Sequence, residues 1–387
     1  MSDKGLVIGI ELNENTTQVC AYDFNKDIPK TIELIPNKPV YDNQRSLSEL
    51  LGKDGEHEAD VDGVVSLISL CISESFRQME CNVIDAVCIV TKVNDYDGLS
   101  IIKSAIRKIP VKSNRWQIIG KTESFAYYAY SQRKELYAAG VVLMDYDKDG
   151  IDIHRLTAKK KDGEDYIIEE QESFSSDKLM NVLNGEANLE DISSELCSFT
   201  EGYFGKHMAS AVYLTGKGFN TDKLPENFTK IIVNRKKAFM GQNLFVRGAC
   251  FAALEQVRPR LFDRCVLLVS GRIKVGIETD ISERGQLMRF RILKPGFNWF
   301  MAERTVDFLL DDVRFITLKI VTPDGKFSDE VIDISEIPYR EGKTTRISMN
   351  VKFVGEDRCL ITIKDKGFGD FFKSSGKVIY KELEFSV

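Results

Sequence analysis

Two carboxylates in this 387-residue chain stand where ligand chemistry could be done. Glu11 and Asp145 each close an apolar strand and open a polar turn. The first lies in Val7-Ile8-Gly9-Ile10-Glu11-Leu12, followed by the turn Asn13-Glu14-Asn15 and the strand Gln18-Val19-Cys20-Ala21. The second lies in Val141-Val142-Leu143-Met144-Asp145, followed by Tyr146-Asp147-Lys148-Asp149-Gly150 and the strand Ile151-Asp152-Ile153. A third polar turn, Gly216-Lys217-Gly218, follows the apolar run Ala211–Thr215. Other chemistries lack their parts. The three histidines, 57, 154 and 207, are far apart, and the eight cysteines contain no CxxC pair. A Cys/His zinc site or a His-based triad is therefore not expected. Most cysteines sit inside apolar runs and read as reduced, buried small hydrophobes.

The elements that must position these residues come in two similar sets. Leu6–Leu12 and 17–24 read as a hairpin, with a third strand at 30–35. Val61–Met79 has helical spacing, with Val64, Val65, Leu67, Ile68, Cys71, Ile72 and Phe76 on one broad face. A short apolar strand at 86–90, a helix at 100–108, the strand Trp116–Ile119 and a helix at 123–136 complete the first set. A second hairpin opens at Val141, with strands 141–144 and 151–156 and a further strand at 166–170. Helices at 176–183 and 191–204, the strand Ala211–Thr215, a strand at 230–233 and a helix at 241–256 follow. A duplicated strand–turn–strand unit of this kind makes two lobes with a cleft between them, where ligands bind. Beyond about 260, short alternating β segments dominate, at 265–270, 288–292, 316–321, Thr345–Phe353 and 359–365. Turn signals at 323–325 and 355–357 separate them, as expected of a β-sandwich-like domain.

Composition narrows the partners. Length alone favours two to three domains. With 53 basic and 59 acidic residues the net charge is −6, and there is no long basic run. That argues against a nucleic-acid groove and against a polybasic membrane anchor. The apolar run from Leu6 to Ile10 is too short for a signal peptide or a spanning helix, so a cytoplasmic location is the expectation.

The order of motifs over residues 5–256 resembles the actin-like ATPase superfamily, which includes actin, sugar kinases and DnaK-type chaperones. Its first phosphate loop resembles the hairpin at Glu11–Thr17, and its second resembles the turn at Asp145–Gly150. Its adenosine-side glycines correspond to Gly216-Lys217-Gly218, and its closing-helix motif to Arg247-Gly248-Ala249. Lys121-Thr122-Glu123-Ser124-Phe125-Ala126 stands where the family helix begins. The resemblance implies a duplicated ribonuclease-H-like, two-lobed α/β core: an actin-like lobe at 1–138, a second at 139–260, and a C-terminal β domain at 261–387. It implies nucleotide contacts from Glu11, Asn13, Thr16, Asp145, Gly216, Lys217, Gly218 and Gly248, a metal shell at Glu11 and Asp145, and ATP or ADP with Mg²⁺ as cofactor. Gly216 and Gly218 would leave room for a base or ribose. Gly248 also reads as a helix-packing glycine.

The chain departs from the family where phosphates would sit. Asn13 replaces a glycine, Glu11 is one methylene longer than the family Asp, and Asp147, Lys148 and Asp149 replace three glycines. At ~5 Å and an effective dielectric of ~20, each carboxylate–phosphate pair costs about 3 kcal/mol. The family's water-orienting Glu would fall at Thr122 or Glu123, and no catalytic residue is assigned. The order of core and β domain resembles DnaK-type chaperones, and the whole resembles an uncharacterised bacterial family of actin-like proteins with a β-rich extension. The expectation is a regulatory or scaffold protein with weak or lost hydrolysis. The alternative is an active chaperone-type ATPase. A sugar kinase has no signature here. The β domain is expected to bind a protein or peptide. The aromatic cluster Phe297-Asn298-Trp299-Phe300 reads as a core plug or a partner patch.

Overall fold

The computed structural model describes residues 5–110, 115–148, 150–161, 163–259, 262, 265–323 and 325–385. The chain divides into two compact units, Met1–Val266 and Leu267–Val387.

The first unit opens with β1 (Leu6–Leu12), β2 (Thr16–Asp23), β3 (Ile28–Ile32), β4 (Tyr41–Asp42) and the short α1 (Leu47–Leu50). Then come α2 (Val61–Met79), β5 (Ile84–Thr91), α3 (Tyr96–Lys108), β6 (Trp116–Ile119) and α4 (Lys121–Tyr130). The strands form a sheet in the order β3-β2-β1-β5-β6, with β4 beside β2. The hairpin strands run antiparallel, whereas β1, β5 and β6 are mutually parallel. β1 is buried at every position, as a strand covered on both faces must be. Helix α2 starts where the Asp60 side chain accepts the Gly63 N–H, and it buries Val64, Ile68, Cys71, Ile72 and Ser75.

The pattern then repeats. β7 (Val141–Asp147), β8 (Gly150–Lys161) and β9 (Glu164–Phe174) form the antiparallel set, followed by α5 (Asp177–Leu183) and α6 (Ser193–Lys206). β10 (Ala211–Thr215), α7 (Glu226–Val233), β11 (Lys237–Met240) and α8 (Leu244–Val257) complete it. The five-strand order β9-β8-β7-β10-β11, with β7, β10 and β11 parallel, matches β3-β2-β1-β5-β6 of the first lobe, and a further strand, Cys265–Leu268, lies beside β9. This duplicated mixed sheet is the α/β core that the motif order implies.

The last helix of each set crosses to the other lobe. On α4, Phe125 and Tyr128 pack edge-on against Tyr213 of β10, at 5.5 and 5.7 Å between ring centroids. α8 lies on β1, so close that a Cβ on Gly9 would stand 2.4 Å from the Cys250 nitrogen. The sequence division at 138/139 therefore does not follow the packing of these two helices. α8 is apolar on nearly all sides because it is sandwiched: Leu244, Phe245, Val246, Ala249, Cys250, Ala252, Ala253 and Leu254 are all buried.

Three element expectations need correction. Residues 230–233 belong to helix α7, where Phe228 and Ile232 share one buried face at helical spacing, and the strand lies later at β11. The helix expected over 123–136 ends at Tyr130, with a separate 3₁₀ turn at Lys134–Leu136. The strand expected to stop near Asp145 continues to Asp147. Of the expected turn at 146–150, Asp149 lies outside the described residues.

β12 (Cys265–Leu268) spans the boundary between units. The second unit holds β13 (Gly276–Glu283), β14 (Gln286–Leu293), β15 (Glu303–Leu310), β16 (Phe315–Val321), β17 (Phe327–Asp333), β18 (Thr345–Phe353), β19 (Arg358–Asp365) and β20 (Val378–Glu384). They form two four-stranded antiparallel sheets, β14-β13-β16-β17 and β15-β18-β19-β20. Burial alternates along β18, which buries Thr345, Ile347, Met349, Val351 and Phe353, so each sheet has one core face. Trp299 and Phe300 are buried in this unit, whereas Phe297 is 45% exposed. All eight cysteines are free thiols. Among the described residues, no helix is long and apolar enough to cross a membrane.

Candidate functional site

The β1–β2 hairpin holds its own turn closed. The Asn13 N–H donates to the Thr16 carbonyl at 2.9 Å. Glu11 is buried (2% exposed) and accepts from Asn13 Nδ2 at 2.9 Å through Oε1. Lys121, the first residue of α4, brings its Nζ to 3.7 Å from that same oxygen, over the Phe245 ring. Glu11 Oε2 is buried with no partner. Burial pushes the Glu11 pKa up, Lys121 and Asn13 oppose the shift, and Asp145 adds to it. The segment 43–48 covers the turn. The Asn15 and Glu14 carbonyls accept from the Asn43 and Leu47 N–H groups, and the Glu14 carboxylate accepts from the Ser48 N–H and hydroxyl at 3.2 and 2.9 Å.

The second hairpin is tight, with Asp147 paired to Gly150 across it. Lys92, the residue after β5, reaches over from the first lobe. Its Nζ lies 2.8 Å from Asp147 Oδ2 and 3.9 Å from Asp145 Oδ2. Burial acts to raise the Asp147 pKa, but Lys92, then Lys121 and Lys217, hold it below the ordinary value. Burial likewise acts to lower the Lys92 pKa, and Asp145, Asp147 and Asp152 outweigh it, holding it above the ordinary value. Asp147 Oδ1 is buried without a partner. The site is thus a set of three carboxylates, Glu11, Asp145 and Asp147, neutralised by lysines from both lobes.

On the adenosine side, the two glycines are tightly packed on their Cβ side. Tyr146 is fully buried and donates its hydroxyl to the Leu179 carbonyl at 2.7 Å. Its ring lies under Gly218, where a Cβ would stand 2.1 Å from it. Gly216, at φ +93°, has its N–H taken by Gln242 Oε1 and its carbonyl by Gln242 Nε2, at 3.2 and 3.1 Å. Gln18 of β2 holds Gln242 in turn, donating to its carbonyl at 3.0 Å. Beyond this loop, a cavity of about 480 Å³ opens between Lys217, Gly218 and Thr221 on one side and Leu183, Asn188 and Glu190 on the other.

The structure thus brings together Glu11, Asn13, Asp145, Gly216 and Lys217, with Thr16 at the turn's far end. Gly248 stands apart as a packing residue: a Cβ there would come 2.0 Å from the Ser124 carbonyl oxygen at the crossing of α4 and α8. Gly218 likewise packs on the Tyr146 ring, while its other side lines the cavity. Both positions where the water-orienting Glu would fall have their own partners at the start of α4. Thr122 lies 3.4 Å from His154, and Glu123 is fully buried beside Gln117. Among the described residues, no group of three or more His, Cys, Asp or Glu could hold a metal ion. Sequence reading missed Lys92, Lys121 and Gln242. Lys92 and Lys121 had a signal, since each is a lysine at the end of an apolar strand or the start of a helix bordering the cleft. Gln242 had none.

The fold and site define a two-lobed α/β protein with a charge-filled cleft and a separate β unit. The chain belongs to the family of unknown function DUF5716, whose C-terminal part matches residues 54–270. A domain of unknown function, DUF8552, matches residues 272–385. No curated protein matches the sequence at significance. Among solved structures, the chain is similar to the inorganic polyphosphate/ATP-glucomannokinase from Arthrobacter sp. strain KM, at 9% identity and a TM-score of 0.42, covering 65% of this chain and 100% of that one. It is also similar to the ethanolamine utilization protein EutJ from Carboxydothermus hydrogenoformans, at 10% identity and a TM-score of 0.37, covering 65% and 91%. The strand order and the crossed helices, not these distant likenesses, carry the fold.

Proposed function

We propose that this protein is a divergent actin-like regulatory or scaffold protein whose cleft does not hydrolyse ATP. The observation that carries the reading is the Lys92 bridge to Asp147 and Asp145 between the two hairpins. Phosphate oxygens need free N–H groups and cations, and here the lysines already face carboxylates of the chain itself. The Asn13 and Gly216 N–H groups are also occupied. The β unit is then the part that meets a protein or peptide partner.

A second reading, an active chaperone-type ATPase, draws on the 480 Å³ cavity, which is large enough for a nucleoside. In it, Lys92, Lys121 and Lys217 would turn to the phosphates and the carboxylates to Mg²⁺. Calorimetry with ATP and ADP, with and without Mg²⁺, separates the two when combined with phosphate release from the wild type and an Asp145→Ala variant. No turnover above background supports the scaffold reading. Mg²⁺-dependent turnover that disappears in Asp145→Ala refutes it.

A further inference from the structure

The two sheets of the second unit end on four edge strands, β14, β15, β17 and β20. β14 carries Arg289 and Arg291, and Arg304 of β15 donates to its carbonyls at 291 and 292. β20 carries Lys381. Cations of this kind keep an exposed edge from pairing with a further strand. β17 reads Phe-Ser-Asp-Glu-Val-Ile-Asp and has no Lys, Arg or Pro. All seven of its residues pair with β16 in one unbroken register. Its other side therefore presents a continuous row of backbone N–H and C=O groups.

Register assigns the side chains of β17 to two faces. Ser328, Glu330 and Ile332 stand opposite Ile320, Leu318 and Ile316, on the face that β16 buries. Phe327, Asp329, Val331 and Asp333 lie on the outer face. Phe327 and Val331 are 61% and 55% exposed there. Asp333 accepts from the Ser335 N–H and hydroxyl. Lys319, opposite Asp329, is paired with Asp280 instead. The Asp329 and Glu330 side chains make no hydrogen bond or ion pair among the described residues.

These carboxylates select what can add to the edge. A second copy of β17 is refused. In the three central registers of a continuous antiparallel pair, Glu330 meets Glu330, Asp329 meets Asp329, or Asp329 meets Asp333. Like charges directly opposite one another are destabilising. An extended segment with cations at the matching places meets attraction instead, and its backbone satisfies the open row of the edge.

We propose that β17 takes up a basic, extended segment of a partner protein by strand addition. Lys or Arg of that segment stands opposite Asp329, Glu330 and Asp333, and its apolar side chains lie beside Phe327 and Val331. The inference rests on the reading that the β unit meets a protein or peptide partner, and it names the edge and the chemistry of that partner. It does not involve the cleft, so phosphate release and peptide binding can fail separately.

The probe is a fluorescently labelled peptide, acetyl-Lys-Val-Val-Lys-Lys-Thr-Val-amide, titrated with the full chain and followed by anisotropy. In antiparallel register its lysines stand opposite Asp333, Glu330 and Asp329. Saturable binding is expected, and replacing the lysines by glutamates should weaken it at least about tenfold. Asp329→Lys/Glu330→Lys should reverse the preference and bind the glutamate peptide better, a gain that a misfolded variant could not show. Two further peptides, N-methylated at alternate backbone nitrogens, separate strand addition from charge attraction alone. The one methylated on the side facing β17 should not bind, and the other should bind like the parent. No binding of the lysine peptide overturns the proposal, and so does equal binding of the two methylated peptides. Binding that is unchanged in Asp329→Lys/Glu330→Lys keeps a peptide-binding protein but overturns β17 as the site.

Discussion

Replacing Lys92 by Met keeps the aliphatic stem and deletes the charge that joins the two hairpins. The Lys92 side chain is 52% exposed, so the pair as a surface interaction is worth only about 0–1 kcal/mol. The larger cost falls on Asp147, whose Oδ1 is already buried without a partner and whose Oδ2 would lose its donor. An unsatisfied buried acceptor costs ~1–3 kcal/mol, so a loss of ~1–2 kcal/mol at pH 7 is expected. For a unit of this size that is a fall of about 2–8 °C in melting temperature. The pH dependence separates this cause from simple loss of packing. In the wild type the Asp147 pKa lies below its ordinary value of 3.8. It therefore contributes stability above that value, which is lost as pH falls through the depressed pKa. In the variant, burial remains and Lys92 no longer opposes it. The deficit should be full at neutral pH and vanish in strong acid. Calorimetric melting of the full chain at several pH values, with Asp147→Asn and the double variant closing the cycle, reads this directly. A Lys92→Met protein that melts like the wild type at pH 7, or a deficit independent of pH, would refute the reasoning.

Glu11→Gln should stabilise the protein by about 1 kcal/mol at pH 8 and give no gain at pH 4. A carboxyl whose folded pKa is raised loses stability as pH rises past its unfolded value, and the amide does not; denaturant midpoints at the two pH values test the sign. Gly248→Val should cost ~2–4 kcal/mol, because the Ser124 carbonyl lies 2.0 Å from the new Cβ and belongs to a helix backbone. A thermal shift of the full chain below about 2 °C would contradict it. Arg340→Met should cost the second unit ~3–5 kcal/mol by stranding the buried Asp365 carboxylate, and Arg340→Met/Asp365→Asn should recover part of that in the same melting experiment.

The supports of the site were more legible than the site. Val61–Met79, Trp116–Ile119, Ala211–Thr215 and Thr345–Phe353 are bounded in the structure as their periodicity implies, because each is a run whose burial follows one simple period. Residues 230–233 misled because Lys-Ile-Ile-Val is a β-branched run, and only the pair Phe228 and Ile232 shows its helical face. β13, β15, β17 and β20 escaped because their outer faces are charged and much of their length is exposed. In the cleft, Asp145 and Glu11 could be found from the apolar runs that precede them. Their partners could not, because Lys92 and Asp147 are 55 residues apart and meet only once two sheets are folded. Tyr146 shows the same limit: nothing in its neighbourhood says that its ring will fill the space beside Gly218.

The electrical balance of the cleft allows one further test. Glu11, Asp145 and Asp147 face Lys92, Lys121 and Lys217, so an incoming phosphate must take a lysine from a carboxylate or sit against an uncompensated negative charge. Occupancy of the phosphate position and the Lys92 bridge between the lobes therefore compete. Asp147→Asn removes one carboxylate and frees Lys92 at once. With a repulsion of up to about 3 kcal/mol per charge pair at ~5 Å, even half of it relieved raises ADP affinity about tenfold. Calorimetric titration of ADP into the wild type and the Asp147→Asn protein measures this. A gain in affinity would place the phosphates between the two hairpins, held off in the wild type by the protein's own carboxylates. Equal affinity, or no binding by either protein, would mean that the lysine–carboxylate set serves only to hold the two lobes together.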